Sequence, residues 1–305
     1  MKKLIVLLSL SILANMVIAA CPRADINGDC EVNLQDLAIM ASEWLTQGFP
    51  EDPADMVWVS IDDDGSGMKD ENGNSISQGG FTGLMSKYET TNAQYCKFLN
   101  AALASGDITV GADNIVYGAD GSNSGDDFTA EVYFYTHAAD PCSQITYTEG
   151  VFRVRARDGY DMGNHPVVMV SWYGASAFCN YFGYRLPTEW QWQAAADYDG
   201  SYIYGCGTAI DSDKANYNSE NPLNLSAHPY TTPVNYYPSF GYGLNDLTGN
   251  VSEWTSSTDG SNAVVRGGGW NFGSGGLGSW CIWYIYGDKN QGSTFSDIGF
   301  RVCSD

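Results

Sequence analysis

The sequence predicts an α+β fold with a small helical calcium-loop module at its front, on three observations. Two Thr-x-x-Gln capping boxes precede segments with apolar residues at helical spacing, and short alternating apolar runs are scattered among stretches rich in glycine and aspartate. Near the amino end, a ladder of oxygen-bearing side chains runs into a further helical pattern. At 305 residues, the chain has room for one small module and one large core.

Residues 1–20 read as an export signal. Lys2 and Lys3 precede an apolar run from Leu4 to Ile18, broken only by Ser9, Ser11 and Asn15, and the small residues Ala19 and Ala20 stand before Cys21. The run is too short to be read as a membrane span, and no second one follows, so the mature chain is expected to have no transmembrane segment. The expected location is exported: periplasmic, cell-surface or secreted. Ile18-Ala-Ala-Cys21 also fits a lipoprotein box, with Cys21 as a lipid anchor, while Cys30 offers Cys21 a disulfide partner; both readings stay open. Eight cysteines without a Cys-x-x-Cys pair favour disulfides over metal thiolates. The net charge is −22, and −24 once the two leader lysines are lost, which argues against a nucleic-acid partner.

Residues 21–46 form the predicted module. Asp25, Asn27, Asp29, Glu31, Asn33 and Asp36 occupy positions 1, 3, 5, 7, 9 and 12 of an EF-hand-type loop, with Glu31 able to give its carbonyl. A helix from about Asn33 to Leu45 follows, carrying Leu34, Leu37, Ala41, Trp44 and Leu45 at helical spacing. Asp36 at position 12 makes the segment resemble one half of a dockerin, although Cys30 stands where a turn glycine is expected. The resemblance implies a cohesin-like partner, and dockerins normally carry two such halves. Residues 47–55, with glycine, prolines and acids, read as a linker.

The main domain is expected over 56–305. Met56-Val-Trp-Val-Ser-Ile reads as a strand and Asp62 to Gly80 as a loop. The capping box Thr91–Gln94 starts a helix with Tyr95, Phe98, Leu99 and Ala102 on one face. Between Ser105 and Tyr160, only short strands such as Val132–Tyr135 and Val151–Val154 are legible. Pro166 to Trp172 is a continuous apolar run suited to a buried strand, and a helix through Ala175, Ala177, Phe178 and Tyr181 follows it. Pro187 then ends one segment, and Thr188–Gln191 caps a helix over Glu189 to Asp197. In Asp246-Leu-Thr-Gly249-Asn-Val251-Ser-Glu253, two carboxylates flank a glycine-bearing backbone able to turn carbonyls inward, as a calcium loop requires.

Four spaced motifs carry a second resemblance. They are Lys87-Tyr-Glu-Thr-Thr-Asn-Ala-Gln-Tyr95; His165-Pro-Val-Val-Met-Val-Ser-Trp172 with Arg185-Leu-Pro-Thr-Glu-Trp-Gln-Trp192; Gly243 to Trp254; and Arg266-Gly-Gly-Gly-Trp270 with Gly299-Phe-Arg-Val302. In order and spacing they resemble the formylglycine-generating-enzyme, or sulfatase-modifying-factor, family. That resemblance implies a C-type-lectin-like fold with low regular secondary structure, held by calcium and disulfides. It implies calcium ligation by the side chains of Asp246 and Glu253 and the carbonyls of Gly249 and Val251. A weaker second site begins at Asn216 and Tyr217. Cys179 and Cys303 lie near the positions of a family disulfide, and the pairing of Cys96, Cys142, Cys206 and Cys281 stays open.

Family members that oxidise a sulfatase cysteine use copper held by two nearby thiolates. Cys281 resembles the first, but five residues on stands Tyr286, so Cys281 is a weak catalytic candidate and copper belongs to an alternative reading. His137, His165 and His228 are too few for the histidine cluster of the related iron-dependent sulfoxide synthases. Arg266, Trp270, Trp280 and Trp283 are the candidate ligand-binding residues, since the corresponding surface of the fold holds peptide or ligand. The expected function is therefore a non-catalytic, calcium-binding module for a peptide or glycan. The alternatives are a copper-dependent formylglycine-generating oxidase and a retroelement-diversified lectin-type binder.

Overall fold

The computed structural model describes residues 52–70, 73–121, 128–272 and 289–304. The front module with Cys21 and Cys30, and the side chains Trp280, Cys281 and Trp283, lie outside the described residues. Pro53 to Asp305 form one compact unit. Ala54, within the stretch expected to be linker, is fully buried in its core, so the domain begins before Met56.

The chain opens with an antiparallel hairpin of β1 (Trp58–Asp63) and β2 (Phe81–Ser86). Helix α1 (Asn92–Ser105) starts where expected: Thr91 accepts from the Gln94 N–H, and Gly106, at φ 85°, closes the other end. It buries Tyr95, Phe98, Leu99 and Ala102. Strands β3 (Ile108–Val110), β4 (Ile115–Gly118) and β5 (Val132–Tyr135) form an antiparallel sheet. Two small hairpins follow, β6 (Ile145–Thr148) with β7 (Val151–Val154) and β8 (Ala156–Arg157) with β9 (Tyr160–Asp161).

Helix α2 (Trp172–Phe182) is capped by Ser171, and α3 (Glu189–Asp197) by the box at Thr188. Gly174 lets α2 sit directly on β5, because a Cβ there would lie 2.2 Å from the Tyr133 carbonyl oxygen. Four strands end the fold: β10 (Ser252–Asp259), β11 (Asn262–Arg266), β12 (Lys289–Asn290) and β13 (Ile298–Gly299), in the order β12-β11-β10-β13, with β13 parallel to β10. Finally β14 (Cys303–Ser304) pairs with β2, which ties the chain's end to its first hairpin.

The run Pro166 to Trp172 departs from the expected strand. Val167, Val168 and Val170 are fully buried, but Met169 takes a left-handed φ of 61°. Its backbone N–H groups go to three different segments: Val167 to the Thr90 carbonyl, Met169 to that of Phe295 and Ser171 to that of Tyr133. An apolar run reports burial, and here the burial is a thread between layers rather than a place in a ladder.

Two apolar clusters result. One gathers Tyr95, Phe98, Phe134, Phe178 and Phe300 with Trp254; the other packs Ile61, Met85, Leu244 and Leu247 around Trp192. The loop 243–252 passes between elements of both and reaches the fully buried start of β10.

Candidate functional site

The four motifs, far apart in sequence, each send a polar side chain to one buried knot beneath the loop 243–252. Arg301, fully buried, donates from Nη2 to Glu253 Oε1 and from Nε to Oε2, both at 2.7 Å. Trp192 Nε1 donates to the same Oε2 at 2.7 Å. Glu89 accepts from Asn250 Nδ2 at 2.7 Å and from the Val251 N–H at 3.0 Å, so the first motif grips the third. The rest of the Arg301 guanidinium donates to the carbonyls of Ser86, Lys87 and Asn245. None of Glu89, Trp192, Asn250 or Arg301 stood among the expected site residues. A signal was present, since each of the four motifs carries a charged, amide or indole group within its apolar frame.

Inside this knot, Asp246 is the exception. It is 7 % exposed, takes a left-handed φ of 57°, and neither carboxylate oxygen has a hydrogen-bond donor. Burial, the largest influence, pushes its carboxyl up to about 8, with Arg301 pulling down and Glu253 pushing up. Burial and the charges of Asp246 and Glu253 likewise raise Glu89 well above the ordinary carboxyl range. A buried carboxylate with no donor holds either a proton or a cation.

More hard oxygens gather at the same loop. Asn245 Oδ1 and Asn216 Oδ1 are also buried without a donor. Asn216 donates through Nδ2 to Asn250 Oδ1 at 3.3 Å, and its carbonyl accepts from the Asn250 N–H. Gly249, at φ 88°, leaves room for that approach: a Cβ there would stand 2.5 Å from the Asn216 carbonyl oxygen. The two stretches expected to form separate calcium sites thus meet at one loop, and carboxylate, amide and carbonyl oxygens are the ligand type a hard cation takes. Tyr217 is half-buried beside them. Glu253 departs from the expectation, because three donors from Arg301 and Trp192 occupy its carboxylate. Asp246, with the Gly249 and Val251 backbone and the Asn216 amide oxygen, is the set that remains.

Arg266 also departs from its expected place. It is 1 % exposed, reaches Glu189 Oε2 at 2.9 Å and Gln193 Oε1 at 3.3 Å, and its guanidinium lies over the Trp190 ring. It joins β11 to α3 and has no surface to offer a ligand. Trp270 is 6 % exposed, donates to the Ser296 carbonyl, and stacks on His228 with ring planes 14° apart.

Among the described cysteines, Cys96, Cys142, Cys179 and Cys206 carry free thiols. Cys179, buried in the core as Cys303 is, is raised well above the ordinary thiol range by burial first and by Cys303 second. Cys206 is buried and raised to about 11, mainly by burial. Cys142, its thiol pushed up to about 11 by burial and Asp140, lies 3.5 Å from His228 Nδ1. Such thiols are protonated at neutral pH and are poor nucleophiles.

Among the described residues, the group of three acidic, thiol or imidazole side chains close enough to share an ion is Asp63, Asp64 and Asp199. Asp63 accepts from the Gly65 and Asp199 N–H groups and from the Tyr242 hydroxyl, so donors of the protein already satisfy it. Nearby Asp197 is raised to about 7 by burial first, with Asp63 and Asp199 adding to the shift.

These shifts set a pH dependence. Carboxyls raised in the folded state keep protons that the unfolded chain releases near pH 4, so their contribution is lost as pH rises toward the folded values. His165, lowered to about 4 by burial, opposes this trend only below its unfolded value near 6.5. Calcium-free protein is therefore expected to melt at progressively lower temperature from pH 6.5 to pH 8, as Asp197 and Asp246 ionise. Thermal melts in EGTA check this, and a melting temperature that rises across the window would contradict it.

The model of the sulfatase-modifying factor enzyme 1-like domain matches residues 50–305. Formylglycine-generating enzyme of Mus musculus is 27 % identical over 260 residues, covering 72 % of this chain and 65 % of that enzyme. Inactive C-alpha-formylglycine-generating enzyme 2 of Bos taurus is 38 % identical over 115 residues, 34 % of this chain and 38 % of that protein. Serine/threonine-protein kinase pkn1 of Chlamydia caviae is 45 % identical over 91 residues, 30 % of this chain and 13 % of the kinase. The chain thus spans less than two thirds of the length of each of these relatives. The solved structure of CarF, 20 % identical, superposes with a TM-score of 0.52 over 82 % of this chain and 98 % of CarF, so the two share a mixed α/β fold of the formylglycine-generating-enzyme-like kind. With the family model spanning the whole main domain, and its motifs meeting at one buried knot, the chain belongs to the sulfatase-modifying factor enzyme 1-like family.

Proposed function

We propose that this protein is an exported, calcium-braced member of its family that binds a peptide or glycan and lacks the copper-dependent oxidation of cysteine. The observation that carries the reading is the pair of donorless carboxylate oxygens on Asp246, in a loop clamped by Glu89 and Arg301. A cation there would neutralise the buried charge and fix the loop at the start of β10. Asp246, Asn216 and the carbonyls of Gly249 and Val251 would hold it.

Family membership alone does not decide the chemistry, since relatives carry the names of both an active and an inactive formylglycine-generating enzyme. The described thiols are buried or neutral, which favours binding over oxidation. In the same reading, the leader 1–20 exports the chain, Asp25 to Asp36 hold a second calcium ion, and the front module docks a cohesin-like partner.

Two assays test the proposal. Purified protein incubated with copper and a Cys-x-Pro-x-Arg peptide is expected to return the peptide unchanged by mass spectrometry. An array of peptides and glycans is expected to show calcium-dependent binding. An aldehyde product, or an array with no ligand, would overturn the reading.

A further inference from the structure

A cavity of about 390 Å³ lies away from the buried knot, between the β7–β8 connection, the loop at 137–142 and the loop at 226–228. Its charged and ring-bearing lining is His137, Arg155, Arg157, Asp158 and His228, with Cys142 and Ser226 as the other polar side chains. Two guanidiniums in one cavity run against the composition of a chain with 14 basic and 36 acidic residues. Arg157 is 8 % exposed; its Nη1 donates to the Pro229 carbonyl at 3.0 Å and its Nε lies 3.5 Å from Asp158. Its Nη2 is buried with no acceptor.

Arg155 Nη1 lies 2.9 Å from His137 Nδ1, an imidazole whose pKa is lowered by burial and then by Arg155 itself. This neutral ring orients the guanidinium without cancelling its charge. Asp158, the one carboxylate on the lining, is already taken by the Ser226 N–H and hydroxyl and by Arg157. The cavity is therefore lined by two guanidiniums and one carboxylate, a net positive charge, and Arg157 Nη2 is a buried donor that no group of the protein fills. The remaining walls, Pro141, Ala156 and Ala227, are small and apolar and leave space for a ring.

We propose that this cavity binds the oxyanion of an acidic sugar, a carboxylate or sulfate carried on a hexose-sized ring, with Arg157 and Arg155 as its anchors. Guanidinium forks match both anions by paired hydrogen bonds, and an orphan buried donor is satisfied only when such an acceptor arrives. The protonated thiol of Cys142 adds no nucleophile, so the site recognises its ligand and does not transform it. The inference names the ligand class of the binding reading above and rests on it.

Titration calorimetry of the full chain with glucuronate, glucose 6-sulfate, glucose and a glutamate-ending tripeptide tests it. Glucuronate or the sulfated sugar is expected to bind, the two arms showing which oxyanion is preferred, and glucose is not. Arg157→Gln is expected to weaken binding at least about tenfold, the loss of one charge-assisted pair. Because Arg157 is buried and that variant can fail to fold, Arg155→Gln and the wall variant Ala156→Phe provide the same loss from less buried positions. Equal binding of glucose, preference for the tripeptide, unchanged affinity in folded variants, or no binding of either acidic sugar would each overturn the proposal. If the acidic sugars fail while the array finds another ligand, only this site assignment falls; if the array is also blank, the binding reading falls with it.

Discussion

Replacing Arg301 by methionine is expected to destabilise the domain by about 3–5 kcal/mol, among the largest effects of any single change. The substitution leaves the Glu253 carboxylate, fully buried, with Trp192 as its remaining donor. It also strips the carbonyls of Ser86, Lys87 and Asn245 of their shared partner. The cost comes from the uncompensated buried charge more than from the pair itself. Pairing the change with Glu253→Leu is therefore expected to recover part of the loss. Urea unfolding followed by tryptophan fluorescence checks both variants; a loss under about 1 kcal/mol for the single variant would mean that the knot is dispensable.

Calcium is expected to raise stability by about 2.7 kcal/mol when present at a hundred times its dissociation constant, and Asp246→Ala is expected to remove the share of that increment due to this loop. In EGTA at pH 8, wild-type protein carries a buried carboxylate with neither donor nor cation, whereas the variant carries none. The variant is thus expected to melt at or above the wild-type temperature in EGTA and below it in calcium. Melts in the two buffers decide this, and a variant weaker by the same amount in both would assign Asp246 a packing role alone.

Local signals made much of this fold legible in the sequence. Thr91 and Thr188 announced α1 and α3, because a capping box is written within four residues and its hydrogen bonds are made there. The apolar run Pro166 to Trp172 announced burial correctly and structure wrongly, since periodicity carries no information on which segment receives each N–H. Glu253 and Arg266 show the same limit for polar groups. Their partners, Arg301 and Glu189, lie 48 and 77 residues away, so a carboxylate that resembles a calcium ligand proves to be half of an ion pair. The loop proposed to hold a cation was legible as a candidate because Asp246, Gly249 and Val251 are close in sequence. The cavity at Arg155 and Arg157 was not, because three separate loops build it; Arg153-Val-Arg-Ala-Arg157 in so acidic a chain was the available hint.

Counting calcium ions tests the central claim most directly. Equilibrium dialysis of the full chain, of Asp246→Ala, and of a variant with Asp25 and Asp29 changed to alanine separates the loop beneath β10 from the front module. The expected result is one ion fewer in each variant than in the wild-type protein. An Asp246→Ala protein that remains folded and still binds as many ions as wild type would contradict the claim that the buried loop at 246–251 holds calcium.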